Sequence, residues 1–169
     1  MVDVETDMII NRSVARVAGF SADPSNAPDW YVNIDSVEWL TEPVLQMGSK
    51  MEFKASFLRR RLRYTYEVVE LVPNERLVMR TAQGPFPMET TYTWQALDHE
   101  STRMSLRNRG EPTGFSKFVA PIMASAIRRA NQKDLIRLKE IVEAGSSGPG
   151  RLCPGGSPMR WGRRSSENG

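Results

Sequence analysis

The chain has few of the residues that most often carry metal or nucleophilic chemistry: its 169 residues include one cysteine, Cys153, and one histidine, His99. A single cysteine excludes an internal disulfide, and one residue of each type cannot supply a His/Cys metal site. His99 stands between two acidic residues in a polar turn, where we expect it to be solvated. The sequence also contains no nucleophile elbow, phosphate-binding glycine loop or dinucleotide fingerprint. We therefore predict no metal site and no cofactor, and these motifs identify no catalytic residue.

Long apolar runs are missing as well. No stretch approaches the roughly 20 consecutive apolar residues that a membrane-spanning helix requires. The first ten residues carry acidic side chains at Asp3, Glu5 and Asp7 instead of the basic residues that begin a signal peptide. We expect a cytoplasmic protein with no transmembrane segment, in which these three acidic side chains face solvent along a first strand.

Positive charge is scarce outside the C-terminal end. Residues 146–169 hold four arginines and one acidic residue, so they account for the net charge of +3, and residues 1–145 are neutral. A neutral body gives no electrostatic reason to expect nucleic-acid binding. Residues 146–169 also hold half of the chain's 12 glycines. We therefore expect a folded domain over residues 1–145 and a disordered tail over 146–169, with a basic partner-binding arm as the alternative for the tail.

Alternating apolar and polar residues over much of the chain predict β-strands. Turn signals rich in glycine, proline, asparagine or charged residues separate them. Short connections between successive strands favour an antiparallel meander. The predicted strands are Val4–Ile10, Ile34–Leu40, Lys50–Leu58, Leu62–Leu71, Arg76–Thr81, Met88–Leu97 and Thr102–Arg109.

Three helical segments are predicted around these strands. Ser13 is placed to cap a short helix from Val14 to Phe20, and Asp23-Pro24 begins a second short helical piece. The third segment, 115–144, has apolar residues at three- and four-residue intervals, which is typical of one long amphipathic helix. Pro121 predicts a kink or a break within it. A long helix against one large sheet gives a layered α+β fold, and a curved sheet leaves space beneath the helix.

The apolar face of each strand is expected to face the long helix. These faces are rich in aromatic and methionine side chains, with tyrosine hydroxyls and an indole N–H that need hydrogen-bond partners when buried. Such surfaces are typical of a pocket for a hydrophobic molecule with a few polar groups. A plain packed core is the alternative, and composition alone favours it.

Asn131 lies close to the apolar face of the long helix, four residues after Ile127 and four before Leu135. A buried amide there needs hydrogen-bond partners. Those partners are either a bound ligand or a neighbouring tyrosine hydroxyl or strand backbone, and the second is the favoured interpretation.

The order of elements and several local motifs resemble the START-like superfamily, also called SRPBCC. Within it, the chain is most similar to bacterial polyketide cyclase/dehydrase-type proteins. The resemblance covers residues 2–144 and rests on Asp23-Pro24 through Trp30, Val37 to Leu40, Leu62 to Val68, Gly84 to Pro87 with Thr91 to Trp94, Gly110 to Pro112, and Arg128 to Asn131. It implies the helix-grip fold, a seven-stranded curved antiparallel sheet wrapped around a long C-terminal helix, with two short helices after the first strand.

Three functions remain open. The leading hypothesis is a carrier or binding protein for a lipid, polyketide or isoprenoid, held in a cavity of several hundred cubic ångströms. A cyclase or dehydratase that folds its substrate and polarises a carbonyl is the alternative. The lack of an obvious inward-facing carboxylate makes this alternative less favoured. A protein-interaction module is the third. The predicted ligand-binding residues are Trp30, Phe53, Phe57, Tyr64, Tyr66, Met79, Met88, Tyr92, Trp94, Met104, Leu106, Phe118, Ile122, Met123, Ile127 and Asn131.

Overall fold

A single antiparallel sheet and one long helix dominate the computed structural model, which describes residues 1–57, 59–84, 86–111 and 120–145. The seven strands follow the order β1-β7-β6-β5-β4-β3-β2. The predicted helix-grip α+β fold is therefore confirmed. The elements are β1 (Val2–Ile10), α1 (Val14–Ser21), a 3-10 turn (Pro24–Asn26), α2 (Ala27–Trp30), β2 (Ile34–Trp39), β3 (Lys50–Phe57), β4 (Arg60–Val72), β5 (Arg76–Gln83), β6 (Met88–Ala96), β7 (Thr102–Gly110) and α3 (Ala120–Ala144).

The strand boundaries differ from the predicted ones by a few residues, most visibly at β4. Phe57 pairs with Arg60, so the chain reverses between β3 and β4 within two residues, and β4 begins at Arg60 instead of Leu62. Arg59 adopts a left-handed backbone with φ of 63° in this turn, and Asn74 does the same at 61° between β4 and β5. Asparagine tolerates that conformation better than most residues do, which fits the position of Asn74 in a turn.

Irregular pairing helps to curve the sheet. The register between β4 and β5 shifts at Thr65/Tyr66 and again at Val68/Glu70, and β2 shifts against β3 at Ile34/Ser36. Such irregularities bend a strand and increase its local twist. The curved sheet then offers a concave face to α3, which packs most extensively on β1.

Helix α3 meets the rest of the molecule at two separate apolar clusters. Its C-terminal half contributes Leu135, Leu138 and Val142 to the main core, each with 0–2% of its surface exposed. Its N-terminal half contributes Met123 to a small second cluster whose other buried members are Val2 and Val4. The space between these two clusters is where a cavity can exist.

The short helices follow the predicted pattern with one difference. Ser13 occupies the N-cap of α1 as expected, but its side chain makes no capping hydrogen bond. Asp23 does cap the 3-10 turn, because its carboxylate accepts the N–H of Ser25 at 2.9 Å. Asp3, Glu5 and Asp7 are exposed, as predicted.

Some predictions fall outside the described residues. Residues 115–119 of the predicted long helix and the whole predicted tail, 146–169, belong to this group. Pro121 lies in the first described turn of α3. Within the described residues, no helix combines the length and the apolar character needed to cross a membrane.

The main cluster should dominate the stability of the fold. Leu138 is fully buried, whereas Ile136, two residues earlier on α3, is 43% exposed. Leu138→Ala should lower the free energy of unfolding by about 2–5 kcal/mol through lost burial and cavity formation. Ile136→Ala is the control and should cost well under half as much. Urea denaturation measures both; equal losses would contradict the core assignment.

Candidate functional site

A cavity of about 160 Å³ lies between the concave face of the sheet and α3. It is smaller than the several hundred cubic ångströms predicted, because large aromatic side chains fill much of the inward face. Its volume is close to that of an engineered cavity of about 150 Å³ that binds benzene. The lining residues are Val2, Tyr31, Asn33, Ile34, Phe53, Ala55, Phe57, Leu62, Tyr64, Tyr66, Met79, Phe86, Met88, Thr90, Tyr92, Asn108, Arg109, Gly110, Met123, Ile127, Ala130, Asn131 and Asp134.

Three aromatic rings from β3 and β4 form one wall of the cavity. Phe53 and Tyr64 are direct cross-strand partners, and their rings stack with centroids 5.7 Å apart. Tyr66 meets both rings edge-on, at 5.5 Å from Phe53 and 5.1 Å from Tyr64. The Tyr64 hydroxyl has no hydrogen-bond partner among the described residues. This wall is apolar over most of its area, with a hydroxyl available at its edge.

A chain of hydrogen bonds links the sheet to α3 at the polar end of the cavity. The Tyr66 hydroxyl lies 2.8 Å from Oγ1 of Thr90, which donates to Oδ1 of Asn108 at 2.8 Å. Nδ2 of Asn108 then donates to Oδ1 of Asn131 at 2.9 Å. Asn131 is only 3% exposed, and its Nδ2 has no partner among the described residues. Asn131 thus has both a structural partner and a free donor.

A pair of hydrogen-bonded tyrosines also lines the cavity. Tyr31 and Tyr92 share a hydrogen bond of 2.7 Å between their hydroxyls, and Trp30 packs on Tyr31 with ring centroids 3.9 Å apart. Burial raises the pKa of Tyr31, Tyr64 and Tyr92 well above the usual value, and raises the pKa of Tyr66 to about 12. All four phenols are therefore protonated at neutral pH and act as neutral hydrogen-bonding groups.

Asp134 places a carboxylate in the cavity lining, which corrects the expectation that no inward carboxylate exists. It is only 2% exposed, and its Oδ1 accepts the backbone N–H of Val32 at 2.8 Å. Burial raises the pKa of Asp134 to about 6, although the Val32 N–H and the charge of Arg137 act in the opposite direction. The side chain therefore changes charge close to neutral pH.

The signal for Asp134 was present in the sequence. Ile127, Asn131 and Asp134 follow the i, i+4, i+7 spacing of one helix face. The acidic residue was overlooked because charged residues on amphipathic helices usually face solvent.

Ten of the sixteen predicted ligand-binding residues line the cavity. They are Phe53, Phe57, Tyr64, Tyr66, Met79, Met88, Tyr92, Met123, Ile127 and Asn131. Their role as ligand contacts remains a prediction.

The other six lie elsewhere. Trp30, Trp94, Met104 and Leu106 belong to the packed main core, and the Trp94 indole donates to Ser21 of α1 at 3.0 Å. Strand alternation gives the correct face for the three strand residues, but it cannot show that α1 and the C-terminal half of α3 cover that part of the sheet. Ile122 is 67% exposed and does not line the cavity. Phe118 lies outside the described residues.

Sequence reasoning missed several polar lining residues besides Asp134. Asn108 shares a strand face with Met104 and Leu106, so period-two alternation already placed it inward. Arg109 lines the cavity and also approaches two carboxylates, Asp3 at 3.6 Å and Glu89 at 3.8 Å. Within the described part of the chain, no group of His, Cys, Asp or Glu side chains could hold a metal ion.

Comparison with known families identifies the family of this chain. The model of the family described as "Polyketide cyclase / dehydrase and lipid transport" matches residues 1–143. The chain belongs to this family. The START-like resemblance inferred from the sequence motifs is therefore confirmed. No curated protein matches the sequence.

Several solved structures share the fold at low sequence identity. The protein TTHA0849 from Thermus thermophilus is 20% identical, with a TM-score of 0.74 and coverage of 86% of this chain and 99% of that one. The Zhui aromatase/cyclase from Streptomyces sp. R1128 is 16% identical, with a TM-score of 0.73 and coverage of 85% and 94%. A START superfamily protein from Mycobacterium smegmatis is 14% identical, with a TM-score of 0.72 and coverage of 83% and 97%.

The buried carboxyl of Asp134 should make stability depend on pH. Its pKa is about 6 in the folded state against a reference value of 3.8, so ionisation destabilises the fold as pH rises from about 4 to above 6. Asp134→Asn removes this charge and keeps an oxygen for the Val32 N–H. The variant should be more stable than wild type at pH 7.5 by up to about 3 kcal/mol.

Chemical denaturation at pH 7.5 and pH 4 measures this effect, and the advantage of Asp134→Asn should be nearly absent at pH 4. Asp29→Asn, at an exposed position of α2, is the control and should show no comparable gain. A stabilisation of the same size at both pH values would disprove the assignment to ionisation.

Proposed function

We propose that the protein binds a hydrophobic small molecule, such as a lipid, polyketide or isoprenoid, in the cavity between the sheet and α3, as a carrier or binding protein. The observation that carries the proposal is the cavity itself, whose walls are largely apolar and whose few polar groups gather near Asn131 and Asp134. This is the composition typical of small-molecule sites. Family membership adds support, since the family description includes lipid transport.

The volume limits what can enter the structure as it stands. A cavity of about 160 Å³ accepts a ligand of about one ring or a short branched chain. The cavity is partly open to solvent, so a longer ligand either extends out of it or enters further if α3 moves away from the sheet. The N-terminal half of α3 is the part that can move at least cost, because Met123 is held by the small cluster with Val2 and Val4, whereas Leu135 and Leu138 anchor the other half in the main core.

Ethylbenzene is a suitable probe because it is apolar and of one-ring size. We expect saturable binding, measured by isothermal titration calorimetry or ligand-observed NMR. Ala130 lines the cavity from α3, so Ala130→Trp should fill it and weaken binding at least tenfold. Gln132→Trp adds the same side chain at an exposed position of α3 and should bind as wild type does. Absence of binding by wild type, or unchanged binding by Ala130→Trp, would overturn the proposal.

A cyclase or dehydratase is the second candidate, and Asp134 is the specific observation that favours it. A carboxyl group with a pKa of about 6 is suited to proton transfer near neutral pH. Nδ2 of Asn131 is placed one helical turn away and can donate to a carbonyl oxygen on which negative charge develops. The Zhui neighbour, titled an aromatase/cyclase, has the same fold.

Hydrogen–deuterium exchange separates the two candidates. Phenylacetone has a CH₂ group next to its carbonyl, and a base that removes this proton in D₂O allows deuterium to replace it. If the cavity performs such chemistry, the wild-type protein should accelerate exchange and Asp134→Asn should lose most of the acceleration. Both proteins should still bind ethylbenzene. Binding without accelerated exchange in wild type would favour the carrier.

A further inference from the structure

The amide nitrogen of Asn131 is a buried donor without a partner in the part of the chain that the structure describes. The side chain is 3% exposed, it lines the cavity, and its Nδ2 makes no hydrogen bond within the described residues. A buried donor left unpaired is unfavourable, whereas a ligand atom that accepts from it removes the penalty. Because Asn131 lines the cavity, its amide is the group there with most to gain from a ligand acceptor.

The direction of the hydrogen-bond chain explains why the unpaired group of Asn131 is a donor and not an acceptor. If Tyr66 donates to Thr90, then Thr90 donates to Asn108 and Asn108 donates to Asn131, so each group is paired except Nδ2 of Asn131. The reversed direction would leave the Tyr66 proton without an acceptor and the Asn131 oxygen without a donor. One unpaired group costs less than two, so the chain runs from the sheet towards the cavity. Hydrogen bonds aligned in this way polarise one another and strengthen the terminal donor.

Charge decides which acceptors fit this position. Asp134 lies three residues after Asn131 on the same face of α3, and Oδ1 of Asp134 is the atom that accepts from Val32. Arg109 is the one cationic side chain among the described lining residues, and it already approaches the carboxylates of Asp3 and Glu89. Among the described lining residues, a ligand anion placed at Asn131 would therefore meet the carboxyl group of Asp134 and a single cation that is already ion-paired. An uncharged acceptor meets no such repulsion.

We infer that the cavity selects uncharged ligands that carry a carbonyl oxygen, and that Nδ2 of Asn131 donates the hydrogen bond that selects them. This inference rests on the proposed function, because it names the ligand chemistry of the same cavity. It excludes free carboxylic acids in their ionised form as preferred ligands. Asn108 acts as a positioning residue, because its bond to Oδ1 of Asn131 leaves Nδ2 as the end of the amide that is available to a ligand.

Three probes of similar size and shape test the inference at pH 7.5: ethylbenzene, acetophenone and benzoate. The measured quantity is selectivity, the ratio of the ethylbenzene Kd to the acetophenone Kd. Asn131→Leu replaces the amide donor with an apolar side chain of similar size, so selectivity should fall about tenfold. The affinity for ethylbenzene, which has no acceptor, should stay within about threefold. Gln132→Leu, an exposed amide-to-leucine change on the same helix, should leave selectivity unchanged. Benzoate should bind wild type at least tenfold more weakly than acetophenone.

A second variant keeps the test decisive if Asn131→Leu does not fold. In Asn108→Asp, the new carboxylate still accepts a hydrogen bond from Thr90. Because a carboxylate cannot donate, it can bond Asn131 only by accepting from Nδ2. The Asn131 amide should then turn its oxygen towards the cavity. Selectivity for acetophenone should fall about tenfold, and benzyl alcohol, which has a hydroxyl donor, should gain affinity relative to acetophenone.

The possible results separate this inference from the proposed function. If wild type binds neither ethylbenzene nor acetophenone, the proposed function is wrong and the inference fails with it. If ethylbenzene binds but selectivity is the same in wild type, Asn131→Leu and Asn108→Asp, only the inference is overturned. Benzoate binding as tight as acetophenone binding would also overturn it.

Discussion

The site depends on one constraint: α3 carries two polar side chains, Asn131 and Asp134, on the face that it buries. Buried polar groups need hydrogen-bond partners, and each of these finds one across the interface, Asn108 on β7 and the backbone of Val32. These bonds hold the middle of α3 at a fixed distance from the sheet. Apolar side chains could pack closely there, but an amide with a free N–H cannot.

The aromatic wall sets the size of that cavity. Phe53, Tyr64 and Tyr66 stand on neighbouring positions of β3 and β4 and pack against one another at ring distances of 5.1–5.7 Å. Side chains that already contact one another in this way keep their positions without a ligand, so the wall is largely preformed and costs little conformational entropy on binding. The adaptable side is α3, whose N-terminal half rests on the two small side chains Val2 and Val4. Under the proposed function, the sheet would contact a ring of the ligand, and movement of the helix would admit a longer one.

Sequence patterns predicted the elements well and the site less well, for a physical reason. Strand alternation and helical spacing report which face of an element is buried, so the inward position of Tyr66 followed directly. They do not report what covers that face. Trp94 and Leu106 were placed in the cavity because nothing local shows that they lie in the packed core instead. Asp134 was missed for the opposite reason, since a buried carboxylate contradicts the usual behaviour of its residue type, and only its partner on Val32 makes the position tenable.

The features that sequence rules predict badly are the ones that lower the stability of the fold. An ionisable carboxyl with a pKa of about 6 and an unpaired amide N–H both reduce stability relative to apolar residues at the same positions. The fully buried Leu135 and Leu138 lie one and two turns after Asn131 on α3. They supply the packing that offsets this loss. Conflicts between local stability and local sequence choice concentrate at functional sites. Both unfavourable groups lie within one turn of α3 and line one cavity, which supports the proposal that this turn recognises the ligand.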